Sequence, residues 1–276
     1  MWDEQDGLRW RILAPFGVEI DGDLAAPLAP AAAGRLCALF AGHGLILARR
    51  QRLDRARHDA LLALLGPIIA HREGEAGFIT SHGDAGGAGS ELAFHADAAY
   101  TETPFAALSL HALDVVDGAS STRFVDAAAA LDRLAPEWQA LLARHEAEML
   151  PGALDDLGAW LCEDPRHRRA PAVRRLPAIR RHPASGRACL AVSAMHTAGL
   201  AGLDDGASHE ALAAVFATLY APAHIHEHVW HDGDLLIWDN LRLQHARGSL
   251  VGKGRRILQR VIVGTHAHAT PHIRAA

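Results

Sequence analysis

The chain has 276 residues, half of them hydrophobic and 21% charged, with a net charge of −5. That is enough apolar material for one large domain or two small ones and excludes intrinsic disorder and collagen-like structure, while the charge argues against a nucleic acid or anionic membrane as the main partner. No apolar run approaches the roughly 18 residues that span a bilayer, the opening MWDEQDGLRWRIL lacks the basic-then-apolar start of a signal peptide, and Cys37, Cys162 and Cys189 form no disulfide framework, so a reducing cytoplasm is expected.

In chain order, LRWRILA (8–14) reads as a strand. Residues 30–41 carry Leu36, Leu39 and Phe40 at helical spacing, with Pro30 to begin the helix and Gly42 to end it. GLILARR (44–50) reads as a buried strand, and residues 54–65 as a helix with Asp54 as N-cap and Gly66-Pro67 as the stop. GDAGGAGSE (83–91) is Gly-rich and reads as a flexible loop. From residue 92 strands dominate: LAFHADAAY, FAALSLHALDV, RACLAVS, HIHEHVW, DLLIWDN and RRILQRVIVGT. Asp126 is expected to cap one helical stretch, AAAALDRLAPEWQALLARHE, and SHEALAAVFATLYA (208–221) forms a helix ending at Pro222. The Pro-, Arg- and Asp-rich stretch 150–175 reads as an excursion or lid. No internal repeat or linker breaks the chain, so a single domain over 1–276 is expected. The fold class is mainly β with an α shell, a β-sandwich or jelly-roll core flanked by helices.

The chain is rich in histidine, 19 in all, and histidine is the commonest metal ligand. In FHADAAY, His95 and Asp97 stand two apart, so on an extended strand both side chains share one face. Far downstream, WDNLRLQHARG supplies His245 on another expected strand. Two histidines and one carboxylate make a three-ligand face with open positions opposite, as in non-haem Fe(II) oxygenases. Beyond His245, GRRILQRVIVG places Arg256 and Arg260 on one strand face and an apolar row with Val261 and Val263 on the other. A guanidinium binds carboxylates bidentately and keeps its proton, which suits an anionic ligand inside a barrel. Arg255 fits a solvated position.

Taken together, these motifs resemble the taurine dioxygenase-like (TauD/TfdA) family of Fe(II)- and 2-oxoglutarate-dependent dioxygenases. The resemblance runs from GLILARR and LLGPI through FHADAAYTETP, IRRHPASGRACL and MHTAGLAGL to HDGDLLIWDNLRLQHARG and GRRILQRVIV. It implies a double-stranded β-helix, that is, jelly-roll core, and an enzyme using Fe(II), 2-oxoglutarate and O2 to oxidise a small, anionic organic substrate, by default through hydroxylation, with release of succinate and CO2. It implies that His95, Asp97 and His245 are the iron ligands, that Thr122 and Arg256 hold 2-oxoglutarate, and that Arg260 and His71 face the substrate. His196, in MHTAG, precedes a loop that lines the site in look-alikes. Trp238, Asp239 and Asn240 match the WDN signature and are assigned to packing and to the turn into the His245 strand. Retention of Asp97 disfavours halogenation, because halogenating relatives carry a small residue there.

The short loop 83–91 and the segment 150–175 depart from the family pattern, so taurine itself is not indicated. Two rival classes use the same three ligands: a metal-dependent hydrolase or isomerase, and a non-catalytic jelly-roll binding protein. Elsewhere, His224, His226 and His228 are expected on an exposed strand face, and His266, His268 and His272 in a C-terminal tail. Arg180 or Arg181 is expected to face the cavity and the other solvent, and Cys189 to be core. Homo-oligomers are compatible with the sequence.

Overall fold

The computed structural model describes residues 1–69, 77–80, 91–101, 103–150 and 174–265. The first half holds β1 (Asp3–Gln5), β2 (Leu8–Ile12), β3 (Val18–Asp21), α1 (Pro30–His43), β4 (Leu45–Ala48), α2 (Arg55–Leu62), β5 (Phe78–Thr80), β6 (Leu92–His95), β7 (Ala107–Val115) and β8 (Ser121–Asp126). Next come α3 (Ala127–Arg133), α4 (Pro136–Leu142), β9 (Glu146–Met149), β10 (Arg174–Pro177), β11 (Ile179–Arg181), β12 (Ala188–Leu190), β13 (Thr197–Leu200) and α5 (Asp205–Leu219). After a 3-10 turn at Pro222–His224, the chain ends in β14 (His226–Val229), β15 (Leu235–Asp239), β16 (Leu243–Arg247) and β17 (Arg256–Val263).

Local chemistry sets most of the helix ends. Pro30 opens α1, and Gly44, in the left-handed region at φ 73°, closes it by donating its N–H to Phe40 O. The expected stop at Gly42 therefore falls two residues late, because Gly42 continues the helix and Gly44 adopts the positive φ that ends it. Asp54 caps α2 by accepting from Arg57 N, and Asp126 caps α3 by accepting from Ala128 N and Ala129 N. The single helix expected after Asp126 is two. Residue 135, before Pro136, is extended, as the ring of a following proline demands, and Pro136 starts α4 afresh.

An eight-stranded sheet has the order β1-β2-β3-β4-β15-β7-β17-β5, and a four-stranded sheet the order β14-β8-β16-β6. The two are packed face to face. Leu47, Leu108, Leu110, Leu236, Trp238 and Leu258 of the large sheet meet Phe124 and Leu243 of the small one in a single buried cluster. The other face of the large sheet, with Ile46, Ile237, Val261 and Val263, is covered by Leu36 and Leu39 of α1 and Leu61 and Leu62 of α2. The other face of the small sheet, with Val125 and Ala246, is covered by α3, α4 and α5 through Leu131, Leu142, Leu212 and Phe216. The layers run helices, large sheet, small sheet, helices. Central strands β4 and β15 are buried along their whole length, which is why LILA and LLIWD read as unbroken apolar runs. Burying one Leu or Phe side chain contributes about 1.5–3 kcal/mol before entropy, and these clusters hold the rims of both sheets in place. The architecture is sheet-rich with five helices among the described residues. None of these helices is long and apolar enough to cross a membrane.

Candidate active site

The small sheet carries the site. In its register β16 lies between β8 and β6, which sets His245 opposite both Phe124 and His95. Side chains directly opposite on antiparallel strands share a face, so the two imidazoles meet, with ring centroids 4.3 Å apart. Asp97 reaches them in a way the periodicity did not predict. It lies past the end of β6, in a turn whose next residue, Ala98, takes a positive φ of 57°. Asn240 stabilises that turn. Its Oδ1 accepts Asp97 N–H at 2.9 Å, and its Nδ2 donates to Asp97 O at 2.9 Å and to Phe105 O at 3.0 Å. The Asn of the WDN signature thus makes the turn that presents a carboxylate, besides leading into β16.

One atom from each of His95, Asp97 and His245 falls within 4.8 Å of the others. Asp97 Oδ1 is 3.2 Å from His95 Nε2 and 3.5 Å from His245 Nε2. Ligands bound at about 2.1 Å to one ion lie close to 3 Å apart, so the spacing and the N,N,O donor set fit a divalent transition metal. His95 Nδ1 lies 2.8 Å from Ala93 O; that carbonyl holds the proton on Nδ1 and leaves the Nε2 lone pair facing Asp97. Burial, helped by the neighbouring His95, pushes His245 down to about 3, so its imidazole is neutral and able to ligate at ordinary pH. Burial would raise the Asp97 carboxyl, but the surrounding polar groups, His95 foremost and the Arg260 guanidinium among them, outweigh it and hold Asp97 far below the usual carboxylate range.

Thr122, on β8 two residues from Phe124, and Arg256, at the start of β17 in the large sheet, are both buried. Trp230, fully buried, donates its indole N–H to Thr122 Oγ1 at 2.9 Å, and the Arg256 guanidinium stands 5.8 Å from the same ring. Burial, with the charge of Arg247, pushes Arg256 down to about 9. Four residues along the same strand, Arg260 Nη1 is 3.9 Å from Asp97 Oδ2. The buried His196 ring lies 5.8 Å from His95 and 5.1 Å from Tyr100. Strand β17 alternates as expected, with Leu258 and Ile262 facing the small sheet and Val261 and Val263 facing the helices. Arg255 is exposed and paired with Asp114.

His71, His266, His268, His272 and Cys162 lie outside the described residues, as do 83–90 of the Gly-rich loop and 151–173 of the excursion. The exposed-face reading of 224–228 is corrected. His226 and His228 are buried, because the β14–β8 register sets His226 opposite Phe124 and His228 opposite Thr122, both buried, so these side chains share the inner face of the small sheet; His224 lies before the strand, in the 3-10 turn. Only Glu227 and Val229 of that strand look outward. Trp230 was missed for the same reason. The i, i+2 spacing of 226, 228 and 230 puts a Trp on that face, and a Trp there argues for burial. Cys189 is core, with its thiol pushed up to about 12 by burial. Arg180 is half-buried, donating to Ala99 O at 3.0 Å, while Arg181 is exposed. A cavity of about 590 Å³ behind the Asp97 turn is lined by Ala96, Ala99, Arg180, Cys189 and Asn240, but by none of the three ligand side chains.

The model of the taurine catabolism dioxygenase TauD, TfdA family matches residues 10–262. The chain belongs to the TauD/TfdA family. Its members are dioxygenases that use Fe(II), 2-oxoglutarate and O2. Pentalenolactone F synthase of Streptomyces arenae is 31% identical over 78 residues, 28% of this chain. The match spans about a quarter of that protein's length (26%). Among solved structures, a taurine dioxygenase from Burkholderia xenovorans superposes with a TM-score of 0.76 at 19% identity, covering 93% of this chain and 90% of the other. AAD-2 in complex with Mn(II) and N-oxalylglycine gives 0.74 at 21% identity, covering 93% and 97%. At such identities these two structures establish that the TauD/TfdA-like chain has the fold of these enzymes, and nothing finer.

Proposed function

We propose that this TauD/TfdA-family chain is a single-domain Fe(II)/2-oxoglutarate-dependent dioxygenase that hydroxylates a small, anionic organic molecule, and that its two facing sheets are the double-stranded β-helix of that enzyme class. The observation that carries the reading is the convergence of His95, Asp97 and His245 around one point, one donor atom from each within 4.8 Å of the others. His95 Nε2, His245 Nε2 and an Asp97 oxygen would hold the metal. Bound Fe(II), with 2-oxoglutarate and O2, supplies the oxidation, and 2-oxoglutarate leaves as succinate and CO2.

The chain's own part is binding, orientation and exclusion of water. Arg256 and Thr122 receive the distal carboxylate of 2-oxoglutarate. Arg256 sits buried beside the like charge of Arg247, an environment that favours an incoming anion. Arg260, one-third exposed and close to Asp97, is suited to a substrate anion, and His196, packed between His95 and Tyr100, is a second residue placed to meet the substrate. The complex of AAD-2 with N-oxalylglycine, an analogue of 2-oxoglutarate, supports the co-substrate assignment by family likeness.

His95→Ala or Asp97→Ala should abolish iron-dependent release of succinate from 2-oxoglutarate. Full turnover in either variant would refute the ligand assignment. Arg256→Ala should weaken 2-oxoglutarate binding by about two to three and a half decades, since a charge left unpaired at a buried site costs roughly 3–5 kcal/mol; an unchanged KM moves that role elsewhere. A visible charge-transfer band on adding Fe(II) and 2-oxoglutarate without air separates this reading from a hydrolase, an isomerase or a passive binding protein.

A further inference from the structure

The two side chains assigned to 2-oxoglutarate come from different sheets, Thr122 from β8 and Arg256 from β17, and one side chain touches both. The Trp230 indole N–H donates to Thr122 Oγ1 at 2.9 Å. That bond uses an oxygen lone pair of the hydroxyl and leaves its hydrogen for another acceptor. The same ring lies 5.8 Å from the Arg256 guanidinium carbon, at the outer limit of a cation–π contact. Trp230 itself is held from several sides. Its backbone N–H donates to Ser120 O and its carbonyl accepts from Gly118 N, each at 3.0 Å. The His228 ring meets it edge-on at 4.6 Å and 89°, and His228 Nε2 is in turn 3.2 Å from the buried Asp234 Oδ2. In the β14–β8 register His228 stands opposite Thr122, so strand pairing and indole together set the rotamer of one hydroxyl.

We propose that Trp230 is a positioning residue for the co-substrate, fixing the Thr122 hydroxyl so that its hydrogen is offered to the distal carboxylate and bracing the Arg256 guanidinium across the gap between the sheets. The inference rests on the assignment of Thr122 and Arg256 to 2-oxoglutarate. An unbraced hydroxyl or guanidinium would have to be ordered on binding, which weakens affinity without touching the chemical step.

The test is the affinity of Mn(II)-loaded protein for N-oxalylglycine, measured by calorimetry alongside steady-state kinetics. Trp230→Phe keeps the ring and loses the N–H. It should raise the Kd for N-oxalylglycine and the KM for 2-oxoglutarate together, by about fivefold to tenfold, with kcat within about twofold of wild type. Trp230→Leu loses the ring as well and should weaken binding further. In a Thr122→Val background, Trp230→Phe should add little, since the bond it removes is already gone. Wild-type affinity in both Trp230 variants would overturn the proposal, and so would full additivity with Thr122→Val. Failure of the wild-type protein itself to bind N-oxalylglycine would instead sink the functional reading beneath it. If the Trp230 variants do not fold, the six indole N–H resonances of ¹⁵N-labelled, Zn(II)-loaded protein carry the test. One slowly exchanging signal should shift both in Thr122→Val and on adding N-oxalylglycine to wild type; no such signal would overturn the proposal.

Discussion

Asn240 shows how much one uncharged side chain can decide. Its amide pairs with both backbone groups of Asp97 and with Phe105 O, as a neighbouring strand would. It thereby holds the turn in which Ala98 adopts a left-handed conformation that a non-glycine residue seldom takes unaided. Asn240→Ala should strip three partners at once. The expected outcome is a loss of about 1–3 kcal/mol in urea unfolding and a Mn(II) affinity lower by roughly tenfold to a hundredfold, the usual penalty for removing an outer support of a metal ligand. Unchanged metal affinity would mean that the turn is held by its own Thr101–Ala98 hydrogen bond at 2.7 Å. His95, Asp97 and His245 stood out through the HxD spacing taken together with the family resemblance; the role of Asn240 in the Asp97 turn was not legible, because its partners are backbone atoms 135–143 positions away.

Among the elements, the turn from β14 into β15 packs directly against backbone. Gly233 has φ 76°, and a Cβ there would meet Arg50 Cα and Gln51 O at 3.0 Å, both backbone atoms that cannot swing aside. Its carbonyl also accepts Gln51 N–H, and its N–H donates to Ala112 O, so the turn ties β15 to its two sheet neighbours. Gly233→Ala adds a conformational penalty of roughly 1–2 kcal/mol to this close approach. A fall in Tm of at least about 2 °C in calorimetry is expected, and a neutral result would show that the turn relaxes. Elements also mark where local signals were ambiguous. The periodicity across 127–142 suits one helix or two, and Pro136 decides for two by forcing its predecessor into extended backbone. HIHEHV alternates equally well for either face, and only its register with β8, which sets His226 opposite the buried Phe124, and the packing of Phe16 on His226 make the histidine side the inner one.

Across the whole molecule, the buried histidines tie stability to pH. His58 of α2 is fully enclosed, with Nδ1 3.0 Å from Gln259 Oε1 on β17 and Nε2 2.7 Å from Ser109 Oγ on β7, so a polar link pins the helix layer to the large sheet. Burial drives it down to about 3 from its ordinary 6.5. Burial shifts His111, His226 and His228 in the same direction. For a folded-state value below the unfolded one, the unfolded chain takes up the proton first on acidification. The stabilisation is therefore complete above about 6.5 and drains away as the pH falls toward 3. For His58 the slope in that window is about 1.4 kcal/mol per pH unit. Urea unfolding of metal-free protein should give a lower stability at pH 5 than at pH 7. In His58→Leu that difference should shrink by about 2 kcal/mol; an identical slope in the variant would assign the acid sensitivity to the other histidines.

Sequence by itself determined the chemistry on offer: two histidines and a carboxylate, two arginines on one strand face, capped helices at Asp54 and Asp126, and the apolar runs that became β4 and β15. Those follow from short-range periodicity and from residue type, which act within a few positions. Tertiary structure alone decided which groups meet. His95 and His245 are 150 residues apart and become neighbours through the β16–β6 register, and the inward face of β14 and the bracing of Thr122 and Arg256 by Trp230 depend on a second sheet lying across the first. A strand's pattern states that one face is to be covered. What covers it is settled by packing between distant segments, and that information is not local to any stretch of the chain.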